Sequence, residues 1–165
     1  MQIFIYQYSI ETEINEKVME DLKIEQEEIP VLRTTEKNEI WQIEIPEISL
    51  IATISEGTPQ EVLNQYVGHF ENTSKEQGNV GLAAHNRGYD VNYFKDLKLL
   101  KEGDEIKYIH NEFQKIYEVE KCRIIKDTEW EFLEETEENM LTLITCVENQ
   151  PEYRRCIQAV EKEEE

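Results

Sequence analysis

The chain has 165 residues, of which 37 are acidic and 17 are basic, so its formal net charge at pH 7 is -20. This length suits one domain, and a hydrophobic fraction of 39% is enough to bury a core. The negative charge excludes a typical nucleic-acid binder, because such a protein neutralises phosphates with basic side chains. The carboxylates form either a solvated surface or, where they cluster, ligands for a hard cation such as calcium.

The first ten residues are apolar and aromatic, yet the stretch is far shorter than the roughly 20 residues that a membrane-spanning helix needs. It also lacks the basic region and the cleavage site of a signal peptide. Two interpretations remain open. The stretch is either an element that packs on the domain or the end of a membrane anchor.

A helix is predicted next, because apolar residues recur at every fourth position from residue 10 to about residue 28. This narrow apolar stripe consists of Ile10, Ile14, Val18 and Leu22. Pro30 closes the segment, and a polar linker follows it. We therefore divide the chain into an N-terminal segment, residues 1–38, and a compact domain, residues 39–165.

The compact domain begins with two predicted strands and a helix. Residues 40–45 and 50–54 alternate in polarity as half-buried strands do, and a proline separates them. Thr58 is the predicted N-cap of the helix, because a proline follows it and a glutamate stands three positions later. Val67 is assigned to the buried face of this helix, and Gly68 to its end.

Further strands are predicted over residues 79–85, 105–110 and 113–125, the last two joined as a hairpin. A final pair covers residues 141–146 and 154–160. Many short strands, few helices and no repeat favour a mostly β fold, with a largely antiparallel barrel or sandwich. The chain contains no glycine-rich phosphate loop, which argues against a nucleotide enzyme.

The last predicted hairpin carries groups that a structural strand does not need. Its first strand ends on Cys146, and the second begins with Arg154 and Arg155. Neighbouring strands lie about 4.8 Å apart, so Cys146 and Arg155 are expected to stand side by side. There a guanidinium would favour the thiolate and bind a developing oxyanion. We prefer Arg155 to Arg154 because the residues that alternate with it are apolar.

A cysteine nucleophile usually works with a histidine. His69 and His110 are interpreted as surface residues. His85 follows a strand of small residues that leave room around its ring, which suits an imidazole presented at a sheet edge. The alternative is that Cys146 is a small buried hydrophobe, with His85 and Arg155 in ordinary structural roles. The other two cysteines, Cys122 and Cys156, are interpreted as packing residues.

The chain resembles the sortases, the cysteine transpeptidases of Gram-positive cell surfaces. The family's T-L-x-T-C signature is present as residues 142–146, and an arginine followed by alternating apolar residues is present over residues 155–160. Residues 78–86 are similar to the family's histidine segment. Residues 45–70 resemble its first strands and helix, and residues 100–106 its Leu-x-x-Gly-Asp turn.

The resemblance implies an eight-stranded sortase-type β-barrel with a few short helices and an N-terminal helix. Cys146 would attack the threonine carbonyl of a sorting signal of the Leu-Pro-x-Thr-Gly type and form a thioester. His85 would give a proton to the leaving glycine amine, and Arg155 would steady the oxyanion or the substrate backbone. Residues beside these groups would contact the substrate: Ala84, Ile144 and Thr145.

The resemblance also implies partners and a location. The partners are the sorting-signal peptide of secreted surface proteins and an amine from a peptidoglycan precursor or a pilin. The domain would lie at the extracellular face of the cell membrane, with residues 1–10 as the end of a removed anchor. The lack of an aromatic lid motif before the barrel and of a long helical insertion before the Cys146 strand favours a housekeeping or class D-like sortase.

No cofactor is expected, with calcium as the one exception, because some sortases bind it between loops. The nearest candidate ligands lie in one acidic stretch: Glu134, Glu135, Glu137 and Glu138. The alternative is that this stretch is a solvated loop that binds no metal. The rival function is a catalytically silent barrel that binds extended peptides at the cell surface. A further hypothesis is that the N-terminal helix covers the groove.

Overall fold

The computed structural model describes residues 38–164, so the predicted N-terminal helix and most of its linker lie outside the described residues. Within this range the strands are β1 Trp41–Ile45, β2 Leu50–Glu56, β3 Val67–His69, β4 Asn79–Ala83, β5 Glu105–His110, β6 Phe113–Lys126, β7 Met140–Val147 and β8 Gln150–Glu161. One α-helix, α1, covers Gln60–Leu63, and 3₁₀ helices cover Pro46–Ile48, Leu97–Leu99 and Trp130–Leu133.

The eight strands of residues 38–164 close into one barrel in the order β1-β2-β3-β4-β7-β8-β6-β5, and β5 pairs with β1. The predicted mostly β class and eight-stranded barrel are therefore confirmed. Two pairs are parallel, β2 with β3 and β4 with β7, and the remaining pairs are antiparallel. No helix between residues 38 and 164 is long and apolar enough to cross a membrane.

Alternating side chains of these strands fill the barrel. In β1, Ile43 and Ile45 are fully buried, whereas the residues between them are partly exposed. The same period of two runs through β2, where Leu50, Ala52 and Ile54 point inward. These residues belong to one hydrophobic cluster that extends around the whole barrel. The polarity pattern read from the sequence thus corresponds to the two faces of the sheet in β1, whereas in β2 the apolar Ile51 lies on the outer face and is 68% exposed.

The predicted helix is shorter than expected. α1 contains four residues, and Thr58 is not its N-cap, because the next residue occupies that position and no side chain caps the helix. Val67 and Gly68 lie in β3 and not in the helix. Val67 is fully buried and pairs with Ile54 of β2, so burial of a β-branched side chain in a sheet outweighs its helical spacing.

The interpretation of His69 and His110 as surface residues was wrong. Their exposed fractions are only 0% and 8%, and the indole of Trp41 lies between them, with ring centroids 5.1 and 5.0 Å away. His69 Nδ1 lies 2.6 Å from Glu56 Oε1, and its Nε2 lies 2.9 Å from the carbonyl oxygen of Ser74. His69 therefore joins the end of β2 to the loop before β4.

We predict that His69→Ala lowers the free energy of unfolding by about 3 kcal/mol, because it opens a cavity in place of a fully buried ring and removes the contacts to Glu56 and Ser74. The urea midpoint measures this loss. His85→Ala is the matched control, since His85 is only partly buried and should lose less than about 1 kcal/mol. Equal losses at the two positions would contradict the assignment of His69 to the packed core.

Candidate active site

The parallel pairing of β4 and β7 determines where the predicted catalytic residues lie. Ala83 is opposite Ile144 in this pair, and parallel strands reach the same edge of a sheet with their carboxyl ends. His85 follows Ala83 by two residues, and Cys146 follows Ile144 by two. The thiol and the imidazole therefore belong to the same edge of the barrel, although 60 residues separate Asn86 from Cys146 along the chain.

Three hydrogen bonds hold the two strand ends together. The Ala84 N–H donates to the Ile144 carbonyl over 3.4 Å, and Thr145 Oγ1 donates to the Ala84 carbonyl over 2.7 Å. Asn86 Nδ2 donates to the Cys146 carbonyl over 3.2 Å. Thr145 is buried, so its hydroxyl bond is protected from water. The threonine before the cysteine thus fixes the histidine segment against the cysteine strand.

Cys146 and His85 line one cleft of about 540 Å³ at this edge. The three residues predicted to contact the substrate, Ala84, Ile144 and Thr145, also line it. Cys146 is exposed to solvent. Burial lowers the pKa of the His85 imidazole from its ordinary value. The cleft therefore presents an accessible thiol together with an imidazole that favours the neutral, proton-accepting form.

Part of the lining of the cleft is apolar. Its lining side chains come from four parts of the chain: Leu63, Phe70, Ile125, Trp130 and Leu133. The 3₁₀ helix Trp130–Leu133 reaches β4 closely because Gly81 has no side chain. A Cβ at Gly81 would lie 2.8 Å from Leu133 Cδ2. The indole of Trp130 is 63% exposed, which is unusual for so large an apolar group.

Sequence reasoning missed this apolar wall, because residues 131–139 were interpreted as an acidic loop without periodicity. The signal was nevertheless present. Trp130, Phe132 and Leu133 are three large apolar residues that interrupt a run of glutamates. An isolated cluster of this kind in an otherwise charged loop indicates an element that packs on a surface or presents a binding group.

The expectation that Arg155 stands beside Cys146 was wrong. In the β7–β8 register Arg154 is opposite Cys146, whereas Arg155 is opposite Thr145. Opposite residues of an antiparallel pair share a face. Thr145 alternates with the core residue Leu143, so Arg155 belongs to the face of β8 that points to the barrel interior. The apolar neighbours that favoured Arg155 in fact mark the core side of the strand.

Arg154 lines the cleft with Cys146 and His85. Its Nη1 donates to the carbonyl oxygens of Pro151 and Tyr153, each over 2.8 Å. These two bonds hold the guanidinium at the start of β8. Arg154, and not Arg155, is thus the arginine that the structure brings to the thiol.

The three cysteines have different environments. Cys156 is fully buried, as predicted, and burial raises the pKa of its thiol to about 12. Cys122 is exposed, so its interpretation as a packing residue was wrong. Burial of part of its side chain raises the pKa of the Cys122 thiol, and the charge of Arg155 opposes this rise. Of these three thiols only that of Cys146 lines the cleft.

The candidate calcium ligands lie in the acidic stretch, residues 134–138. Within residues 38–164, no three His, Cys, Asp or Glu side chains lie close enough together to hold a metal ion. Glu135, one of the candidate ligands, instead accepts a hydrogen bond from Ser74 Oγ over 3.1 Å. This contact ties the acidic loop to the segment before β4.

Comparison with known proteins gives a consistent result. A family model for the sortase domain matches residues 43–162. Sortase A of Bacillus anthracis is 32% identical over 124 residues, which are 74% of this chain and 59% of that protein. The matched region thus spans less than two thirds of that relative.

Solved structures show the same similarity. The pilus-related sortase C of Group B Streptococcus has a TM-score of 0.71 at 26% identity, over 76% of this chain and 68% of its own. Sortase C1 from Streptococcus suis has a TM-score of 0.71 at 27% identity, over 76% of this chain and 74% of its own. The barrel, the cleft and the matched family model lead to one conclusion: the chain belongs to the sortase family.

Proposed function

We propose that this chain is a cysteine transpeptidase that cleaves a sorting signal of the Leu-Pro-x-Thr-Gly type between Thr and Gly. It then joins the threonine carbonyl to an amine of the cell wall or of a pilin. The observation that carries the proposal is the meeting of Cys146, His85 and Arg154 in one cleft at the ends of neighbouring strands. A thiol, an imidazole and a guanidinium in one groove suit acyl transfer better than simple peptide binding.

The first half-reaction is acylation of the thiol. The Cys146 sulfur attacks the threonine carbonyl carbon, and the thiol proton passes to His85. The resulting tetrahedral oxyanion collapses, the bond between threonine and glycine breaks, and His85 returns its proton to the leaving glycine amine. A thioester of the threonine with Cys146 remains. The lowered pKa of His85 supports its part as proton acceptor near neutral pH.

The second half-reaction releases the acyl group. The attacking amine loses a proton to His85 as its nitrogen adds to the thioester carbonyl. The carbon–sulfur bond then breaks, and the thiolate regains the proton from His85. The products are a new amide at the threonine and free Cys146. The exposure of Cys146 supports this step, because a second substrate must reach the thioester.

Arg154 is the group we assign to the oxyanion. Its guanidinium carries a permanent positive charge and several N–H donors, which suit a negatively charged oxygen. Its place opposite Cys146 supports this role. The sequence pattern alone favours Arg155 for this role, and single substitutions at the two arginines distinguish between them.

The apolar part of the cleft is our candidate site for the leucine and proline of the signal. Phe70, Trp130 and Leu133 line it, and the exposed indole of Trp130 is accessible to a peptide. Ala84, Ile144 and Thr145 would contact the central residues of the signal. The cell-surface location, the membrane anchor and the amine donor follow from the family resemblance and belong to the same proposal.

The function is tested by intact-mass spectrometry of the full chain after mixing with Leu-Pro-x-Thr-Gly-type peptides that vary at x. We expect a mass increase equal to the peptide up to its threonine, with loss of the adduct when an amine is added. Cys146→Ala is expected to show no adduct. Peptides that bind without any adduct would replace the proposal by a silent peptide-binding barrel.

Two single substitutions test the assignment of the arginine. Arg154→Ala should lower kcat/KM for acylation by about 100-fold or more, the usual loss when an oxyanion donor is removed. Arg155→Ala should lower it less than about tenfold, because its side chain lies on the other face of β8. Arg154→Lys keeps the charge without the planar fork and should restore only part of the rate. A larger loss in Arg155→Ala would return the role to Arg155.

Trp130→Ala should raise KM for the peptide about fivefold with little change in kcat, because the indole contributes binding area far from the reacting bond. Trp130→Phe should keep most of the affinity. Ile51→Ala is the control, since Ile51 is an exposed apolar residue of β2 that does not line the cleft. Steady-state kinetics of peptide cleavage measure all three. An unchanged KM in Trp130→Ala would exclude this wall as the site for the leucine.

A further inference from the structure

The face of the His85 imidazole is covered by a ring that sequence reasoning did not single out. The phenol of Tyr89 stacks on it, with ring centroids 3.5 Å apart and an angle of 5° between the ring planes. Tyr89 is itself 44% exposed and lines the same cleft. A large, half-exposed aromatic ring on a candidate catalytic histidine suggests that it acts on the histidine and not on the core.

The loop that carries Tyr89, residues 86–93, is closed at its base. The Phe94 N–H donates to the His85 carbonyl over 3.1 Å, and the side chain of Phe94 is fully buried. Gly88 has a φ of +83°, a left-handed conformation that lets the chain turn back toward the histidine. The loop therefore begins and ends at one anchored point.

The backbone of Tyr89 is held on both sides by Asn92. The Tyr89 N–H donates to Asn92 Oδ1 over 3.3 Å, and Asn92 Nδ2 donates to the Tyr89 carbonyl over 2.7 Å. Tyr93, the next residue, donates from its hydroxyl to the carbonyl of Gln65 over 3.1 Å. This side of the loop is thus bound to the segment that follows α1.

The other side of the loop is bound to the turn between β7 and β8. Arg87 Nη1 donates to Glu148 Oε1 over 2.5 Å, and Arg87 Nη2 donates to Asn149 Oδ1 over 2.7 Å. These contacts connect the loop to both walls of the cleft. The loop that carries the stacked phenol is therefore held in place on both sides, unlike a surface loop without such contacts.

A second contact fixes the edge of the same imidazole. His85 Nε2–H donates to Asn64 Oδ1 over 3.3 Å, and Asn64 lies at the C-terminal end of α1. With the proton on Nε2, the other nitrogen, Nδ1, is the one that accepts a proton from the reacting groups. The contact with Asn64 thus favours the tautomer that is protonated on Nε2, and the stacked ring restricts the plane of the imidazole.

We propose that Tyr89 is a positioning residue for His85 in the transpeptidase reaction proposed above, on which this inference rests. Its ring holds the imidazole plane toward Cys146 and excludes water from one face. A catalytic group that is held in the reactive orientation needs no reordering when the substrate binds, which can be worth about one to two orders of magnitude in rate.

The effect of Tyr89 on the pKa of His85 can be measured without a change in the surrounding charges. Four charged or titratable groups of the cleft lie on the histidine loop, the end of β7, the turn after it and β8: Arg87, Cys146, Glu148 and Arg154. Lys126, Asp127 and Glu129 line the cleft from the end of β6. Replacing Tyr89 changes none of these charges. Burial lowers the pKa of His85, so removal of the covering ring should raise it.

The first test needs no substrate. The Hε1–Cε1 signal of His85 in the full chain, assigned by its loss in His85→Gln, is followed by NMR across a pH titration. In Tyr89→Ala we expect the ring-current shift of this signal to disappear and its titration midpoint to move to higher pH. Tyr89→Phe should keep both properties. Tyr89→Leu, which preserves apolar bulk without an aromatic ring, should lose the ring-current shift in a well-packed protein.

The second test is kinetic and uses a peptide that acylates Cys146. Tyr89→Ala should lower kcat about tenfold and leave KM within about twofold of the wild-type value. The low-pH part of the rate profile, where the rate rises as His85 loses its proton, should move to higher pH. Tyr89→Phe should restore the wild-type rate. An unchanged His85 midpoint and ring-current shift in Tyr89→Ala, or a Phe variant that behaves like the Ala variant, would overturn the inference. If no peptide acylates Cys146, the proposed function fails while the titration still decides the role of Tyr89.

Discussion

The parallel pairing of β4 with β7 is the constraint on which the site depends. In a largely antiparallel barrel, most neighbouring strands end at opposite edges, so residues that follow them are carried apart. Here two strands run the same way with a long stretch of chain between them, and their carboxyl ends meet. The bond from Thr145 to the Ala84 carbonyl secures this meeting in a buried position. The proposed catalytic pair is thus brought to one edge by backbone register, before any side-chain detail is considered.

The face of the strand on which a residue lies decides whether its side chain can reach the thiol of Cys146. The wall of a barrel has a core side and an outer side, and successive residues alternate between them. Cys146 is opposite Arg154 and both line the cleft, whereas Arg155 is opposite the buried Thr145 and does not line it. Arg154 and Arg155 are adjacent along β8, so the register of the pair decides which guanidinium lies on the same face as the thiol and which lies on the opposite face.

The sequence was informative where chemistry and local pattern coincide. The T-L-x-T-C segment and the small residues before His85 lead to one and the same cleft, because each motif contains both a candidate reactive group and the strand that carries it. The choice between two adjacent arginines required the pairing of β8 with β7, which no local pattern contains. The burial of His69 likewise depends on oxygens of Glu56 and Ser74 brought from other segments. The roles proposed for Trp130 and Tyr89 likewise depend on the groups that the fold brings next to them, the cleft and His85.

The two tryptophans of the chain occupy opposite kinds of environment. Trp41 is 4% exposed and lies between two histidine rings inside the folded barrel, whereas Trp130 stands in water at the rim of the cleft. Indole emission depends on solvent contact, so the inner chromophore reports on the integrity of the barrel and the outer one on whether the groove is filled. The protein therefore carries two intrinsic optical probes, one for folding and one for occupancy, without any added label.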